Sequence, residues 1–250
     1  MRIGPFELRP RRLPMLMTLV LVPALVGLGV WQLQRAEEKR VLQAQWQRQR
    51  DMAPRPLAEV LRGQAPRFAP VVAQGRFDTG HQFLLDNQIR SHRPGYQVLT
   101  PLRLQGSERA ILVNRGWIPM GDGRRDLPRI PTPEGSVRVT GYLVDPPQAG
   151  LRLGPADPGK GRWPKVVQYL APQRASRQLG YPVVARAVRL AEGAPHGFPR
   201  DWNAPLPVGP ARHTGYALQW FGLGVAVLVI FLAVNLRRDD RKGERDVAAG

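Results

Sequence analysis

Two charge-free stretches bracket this chain, and they constrain its fold more than any other feature. The first runs from Leu13 to Gln34 and the second from Thr214 to Leu236. At about 1.5 Å of rise per residue, a helix of either length crosses the roughly 30 Å of bilayer hydrocarbon. Pro14 and Pro23 fall within the first stretch. Such prolines are tolerated in a span, where neighbouring groups satisfy the freed carbonyls. Arg2, Arg9, Arg11 and Arg12 ahead of it would also suit a cleaved signal peptide, which needs a small-x-small site after the apolar run. The run ends instead in Gly29-Val30-Trp31-Gln32-Leu33-Gln34-Arg35, with Trp31 placed where amphipathic rings settle at an interface. The uncleaved anchor is the better reading.

The flanks give a topology. Four arginines oppose Glu7 in the N-terminal tail, and Arg237, Arg238, Arg241, Lys242 and Arg245 oppose four acids in the C-terminal one. Lys and Arg in short flanks mark the cytoplasmic side, so both tails are expected there. The chain then divides into a tail (1–12), a first span (13–34), an outer-face domain (35–212), a second span (213–236) and a second tail (237–250).

The middle segment is large enough for one domain with a real core. It carries most of the formal charge of +18. That charge is mostly arginine scattered singly, with no basic helix and no lysine run, so membrane lipid is an expected contact and nucleic acid is not. The chain has no cysteine, which removes disulfides, thiolate metal sites and covalent c-type haem attachment. Its four histidines, His81, His92, His196 and His213, show no metal-ligand spacing.

Helix formers without Gly or Pro carry the first span on as a stalk to about Arg50, and Pro54 and Pro56 stop it. A short helical turn is expected over Leu57 to Leu61, and then the pattern becomes that of strands. They are expected at Phe68–Phe77, His81–Gln88 (pairing back through a turn at Asp78-Thr79-Gly80), Gly95–Leu104, Arg109–Ile118, Val137–Val144 and Val183–Leu190. Pro101 favours an edge or a bulge in the third of these. Lys165 to Leu179 suits a helix stopped by Gly180 and Pro182. Pro119–Pro133, Asp145–Pro164 and Ala191–Pro210 are expected to be irregular. The fold class is therefore membrane-anchored α+β: two transmembrane helices flank a largely antiparallel sheet, open or curled into a small barrel, with a few helices.

Chemistry concentrates at the second span. On a helix, His213, Tyr216, Ala217 and Trp220 fall at i, i+3, i+4 and i+7 and share a face. An imidazole, a phenol and an indole thus line one stripe at a membrane boundary. The stripe suits a ligand site, but a polar cap with an aromatic belt is the commoner arrangement for such residues. Elsewhere no enzyme motif stands out. Ser91, Ser107, Ser136 and Ser176 lie in no Gly-x-Ser-x-Gly frame, and Gly121-Asp122-Gly123 precedes no helix. Asp86 beside His81 or His92 reads as ordinary polar residues at strand ends. No catalytic residue is assigned.

Five segments in order carry a resemblance that covers nearly the whole chain. They are Gly29 to Arg35 with Lys39, Gly75-Arg76-Phe77-Asp78, Gly95 through Pro101-Leu102, Ile111 through Asn114-Arg115-Gly116-Trp117 to Pro119, and His213-x-x-Tyr216-x-x-x-Trp220-Phe221-Gly222. With its two spans, the chain resembles the Surfeit locus protein 1 family, membrane assembly factors of cytochrome c oxidase. The resemblance implies a non-enzymatic helper in the bacterial inner membrane, with its main domain periplasmic, that assists haem A insertion or handover into subunit I. It implies transient haem A with His213 as the iron ligand, Tyr216 and Trp220 against the macrocycle, and no metal held by the protein itself. Subunit I, other assembly factors and haem A synthase are the implied partners. The alternative is a scaffold that stabilises oxidase subunits without a cofactor. Asn114, Arg115, Gly116 and Trp117 read either as structural, with Gly116 allowing a bulge and Trp117 packing inward, or as a partner contact. Trp31 and Gln32 read as interfacial anchors or as helix–helix packing.

Overall fold

The computed structural model describes residues 2–3, 6–8, 11–121, 127–146, 162–200, 202 and 209–238. Parts of both expected tails and of the three irregular stretches, together with Asp122 and Gly123, lie outside the described residues. In chain order the elements are β1 (Arg2–Ile3), β2 (Phe6–Leu8), α1 (Arg12–Arg50), β3 (Arg55–Pro56), α2 (Leu57–Arg62), β4 (Pro70–Phe77), β5 (Phe83–Arg90) and β6 (Arg93–Leu104). There follow β7 (Ala110–Pro119), β8 (Ser136–Val144), β9 (Lys165–Val167), α3 (Pro172–Leu179), β10 (Val183–Leu190), α4 (Pro210–Asn235) and β11 (Leu236–Arg238). Two compact units result, one of residues 1–43 with 206–250 and the other of residues 44–205.

In the first unit α1 and α4 pack as an antiparallel pair. The backbone N–H of Arg11 donates to Asn235 Oδ1 at 2.8 Å. A Cβ built at Gly224 would lie 3.9 Å from that of Leu25, and Gly29 has no room for one because the Phe221 ring covers it. Contact positions climb α1 as they descend α4. Outside this seam the helices are apolar and bare, with Leu19 70% exposed and Leu218 74% exposed. Their most apolar segments have mean hydropathies of 2.2 and 2.3, with only 6% and 11% of those residues buried. A core helix of a water-soluble protein would be buried, so these helices call for lipid as their solvent. β1, β2 and β11 form a small antiparallel sheet, with Leu236 opposite Leu8. A helix covers each expected span, and α1 runs without interruption to Arg50.

The second unit is a small barrel. Strands run in the order β3-β4-β8-β10-β7-β6-β5-β9, and β4 also pairs with β6, which closes β4, β8, β10, β7 and β6 into a ring. Alternation fills it: Val71, Ala73 and Phe77 from β4 and Val137, Val139 and Leu143 from β8 point inward, while Gln74, Arg76 and Arg138 stay out. Leu57 and Val60 of α2 join that cluster. Each buried side chain of this kind contributes about 1.5–3 kcal/mol. At the end of α1, Trp46 meets Phe68 and Tyr142 edge-on at 5.4 and 4.7 Å between ring centres.

The sheet is largely antiparallel, as expected, and it includes three parallel pairings, β10 with β7, β3 with β4 and β9 with β5. Several expectations are corrected here. The segment His81–Gln88 does not pair back on Phe68–Phe77; its strand begins at Phe83 and pairs with β6 and β9. Both sides of β4 are already taken by β8 and β6. Pro101 sits inside the interior strand β6 rather than at an edge or at its bulge. Its carbonyl accepts from the Asp78 N–H, so its missing donor faces the same side. There β5 begins opposite Leu99 and β4 ends opposite Leu102, and no strand partner requires a donor. Lys165–Leu179 is not one helix. Val166 and Val167 extend alongside Leu84 and Leu85, and Pro172 starts α3 in the first turn, where its ring is harmless.

Candidate functional site

The helix pair brings together two residues that are 181 positions apart. Gln32 lies on α1 and His213 in the first turn of α4, both half-buried, with His213 Nδ1 2.8 Å from Gln32 Oε1. Their meeting follows from the seam. Phe221 seats on Gly29, so the histidine two turns before Phe221 reaches the glutamine one turn beyond Gly29. Close approach through a glycine is the usual way lipid-exposed helices pair.

Around this contact, Ala217 is buried, Trp220 is half-buried and Tyr216 is 47% exposed. The stripe expected from helical spacing therefore straddles the seam, with His213 facing α1 and Tyr216 turned outward. Arg40 reaches Thr214 Oγ1 at 3.4 Å and Glu37 at 3.2 Å. Arg212 is exposed beside His213. Trp31 is 48% exposed, with the Arg35 guanidinium 5.8 Å from its ring centre. That position fits an interfacial anchor, whereas Gln32 takes part in helix–helix contact.

Asn114, Arg115, Gly116 and Trp117 belong to the barrel unit. The pairing of β6 with β7 shifts register between Gln97 and Leu99, so Arg115 and Gly116 oppose Val98 as a bulge. Gly116 has φ +116°, and a Cβ there would lie 2.6 Å from Phe198 O. Asn114 closes the bulge by donating to Gln97 Oε1 at 2.8 Å and accepting from the Gly116 N–H at 3.2 Å. Arg115 is 2% exposed. Its guanidinium donates to His196 O, Thr132 Oγ1 and Pro131 O, each at 2.8 Å, and to Thr100 Oγ1 at 3.4 Å. The rings of Phe77 and Phe198 flank it at 5.2 and 4.8 Å. Burial pushes its pKa down to about 10. Trp117 is half-buried rather than in the core, and its Nε1–H donates to Gln88 O at 2.8 Å. The geometry is that of a clamp fastening two irregular segments to β7.

One cluster is absent from the sequence reading. His81 pairs with Asp78 rather than Asp86, at 2.9 Å, and the Tyr181 hydroxyl donates to Asp78 Oδ2 at 2.7 Å. Burial alone would raise the Asp78 pKa. The hydrogen bonds from Tyr181 and His81, the imidazole charge and the Gly80 N–H together hold it below the usual carboxylate value. Burial and the same carboxylate push the Tyr181 phenol up. Tyr181 is 103 positions from Asp78, so no local pattern could have shown it. Among the described residues no group of three or more His, Asp or Glu side chains could hold a metal ion.

Comparison with known proteins matches the SURF1 family over residues 19–225. The chain is 24% identical over 233 residues to a SURF1-like protein of Monosiga brevicollis, covering 88% of this chain and 86% of that one. It is 26% identical over 220 residues to a SURF1-like protein of Rickettsia conorii, covering 85% and 87%. It is also 26% identical over 269 residues to Surfeit locus protein 1 of Arabidopsis thaliana, covering 80% and 72%.

Proposed function

Because the chain belongs to the SURF1 family, we propose that it is a non-enzymatic assembly factor for cytochrome c oxidase, holding haem A as transient cargo for subunit I. The observation that carries this reading is the Gln32–His213 contact, which fixes an imidazole at the mouth of a membrane helix. The residues fit such a cargo. The Nε2 atom of His213 has no hydrogen-bond partner among the described residues, and a neutral imidazole is a standard axial ligand of haem iron. Trp220 and the outward Tyr216 give an aromatic flank, and the exposed Arg212 suits a propionate. When bound, haem A would supply the iron that the His213 nitrogen holds. The chain's own part is to present one nitrogen on a seam locked by Gly29 and Phe221.

In this reading both tails are cytoplasmic and the barrel unit lies in the periplasm of a bacterial inner membrane. Other assembly factors and haem A synthase join subunit I as partners. Purification in detergent from haem-A-producing cells tests it. The wild-type protein is expected to show a Soret band, and His213→Ala to lose most of it together with oxidase assembly. A haem-free wild-type preparation, with oxidase assembly unchanged in His213→Ala, would leave the scaffold role instead.

A further inference from the structure

Resting on the haem-ligand reading, we propose that Gln32 is a positioning residue that selects the tautomer of His213 and aims its Nε2 lone pair at the iron. An amide oxygen only accepts hydrogen bonds. With Gln32 Oε1 2.8 Å from Nδ1, the proton of a neutral His213 belongs on Nδ1. Nε2 then carries the lone pair, which is the state a metal requires. A histidine without this partner would hold its ring by rotamer preference alone and distribute its proton between both nitrogens. The arrangement matches the outer partners of metal-bound histidines elsewhere, where a hydrogen bond to the distal nitrogen fixes ring and tautomer. It differs in origin, because acceptor and ligand sit on different helices and meet only when both are paired. Ligation is thereby coupled to the α1–α4 seam: an iron site exists only where both helices are in place.

The first arm of the test needs no haem. In detergent-solubilised full-length protein labelled with 15N-histidine, the His213 signals are identified by their loss in His213→Ala. The wild type is expected to show the Nδ1–H tautomer, Gln32→Glu to keep it because a carboxylate still accepts, and Gln32→Ala to shift toward Nε2–H. The second arm measures haem A binding by titration, where Gln32→Ala should weaken affinity about 10- to 100-fold, as removal of outer-shell partners does. Predominant Nε2–H in the wild type, unchanged tautomer in Gln32→Ala, or unchanged haem affinity in that variant would each overturn the proposal. Should Gln32→Ala lose helix pairing, Gln32→Glu decides by itself, since loss of the Nδ1–H form there also overturns it. If His213→Ala binds haem as the wild type does, the ligand reading fails, while the tautomer result stands separately.

Discussion

Ile111, Val113 and Leu143 are fully buried in the barrel, whereas Leu13 and Ile230 in the helix pair are 66% and 61% exposed. Polar groups are distributed in the opposite sense. In the membrane-length part of the helix pair, polar groups meet along the seam, as Gln32 with His213 and Asn235 with Arg11. In the barrel they sit mainly outside, and the buried exceptions include Thr100, Asn114, Arg115, Lys165 and Arg174. The two regions draw on similar apolar side chains and sort them against different solvents. Lipid gives apolar helices no reason to hide from it, so small residues and hydrogen bonds must hold the pair. Water drives the barrel's apolar faces together, and any polar group caught inside needs every partner.

The largest effect that sharpens this contrast is all-or-none. The chain has no cysteine, so Leu25→Cys with Gly224→Cys gives one possible disulfide. The Cβ separation of 3.9 Å falls in the range that a disulfide spans. Complete cross-linking in oxidised membranes is expected, read as a change in gel mobility after proteolytic cleavage of the connecting domain. Its absence would refute the seam.

Next is Arg115→Leu. It deletes the donors to His196 O and Pro131 O, and unpaired buried acceptors cost about 1–3 kcal/mol each. A loss of about 3 kcal/mol in urea unfolding of the full chain is expected. Relief of a buried charge that has no carboxylate partner among the described residues works against this loss. A neutral or stabilising result would show that desolvation outweighs the clamp.

The smallest effect is at Asp78. Its folded-state pKa lies below the ordinary aspartate value. Its contribution is therefore present above that value and lost as the pH falls through the lower folded one. Asp78→Asn should cost about 1 kcal/mol at neutral pH, the size of one hydrogen bond at a partly exposed site. It should also flatten the acid limb of the unfolding midpoint plotted against pH. An unchanged acid limb would assign that limb to other carboxylates.

Much of the fold was legible in sequence because its signals are local. Uncharged length marked α1 and α4, and alternation marked β4, β8 and β10 within two residues of their ends. The misreadings all involve choice of partner. The turn at Asp78–Gly80 is real, yet β5 turns away because β8 and β6 already flank β4. Lys165–Val167 reads as helix until β5 offers it an edge. At the site, His213 and Gln32 were each visible from their motifs, but their hydrogen bond was not.

The sequence by itself determined the two lipid-facing helices, the strand-rich domain between them and the histidine at the second helix's mouth. Each of these follows from hydropathy and spacing within a window of some twenty residues. Only the tertiary structure decided that Gln32 meets His213, that β10 runs parallel to β7, and that Arg115 is clamped by two distant segments. These are contacts across 181, 73 and 81 positions. Their energies exist only once the chain has closed on itself, and no local pattern records them.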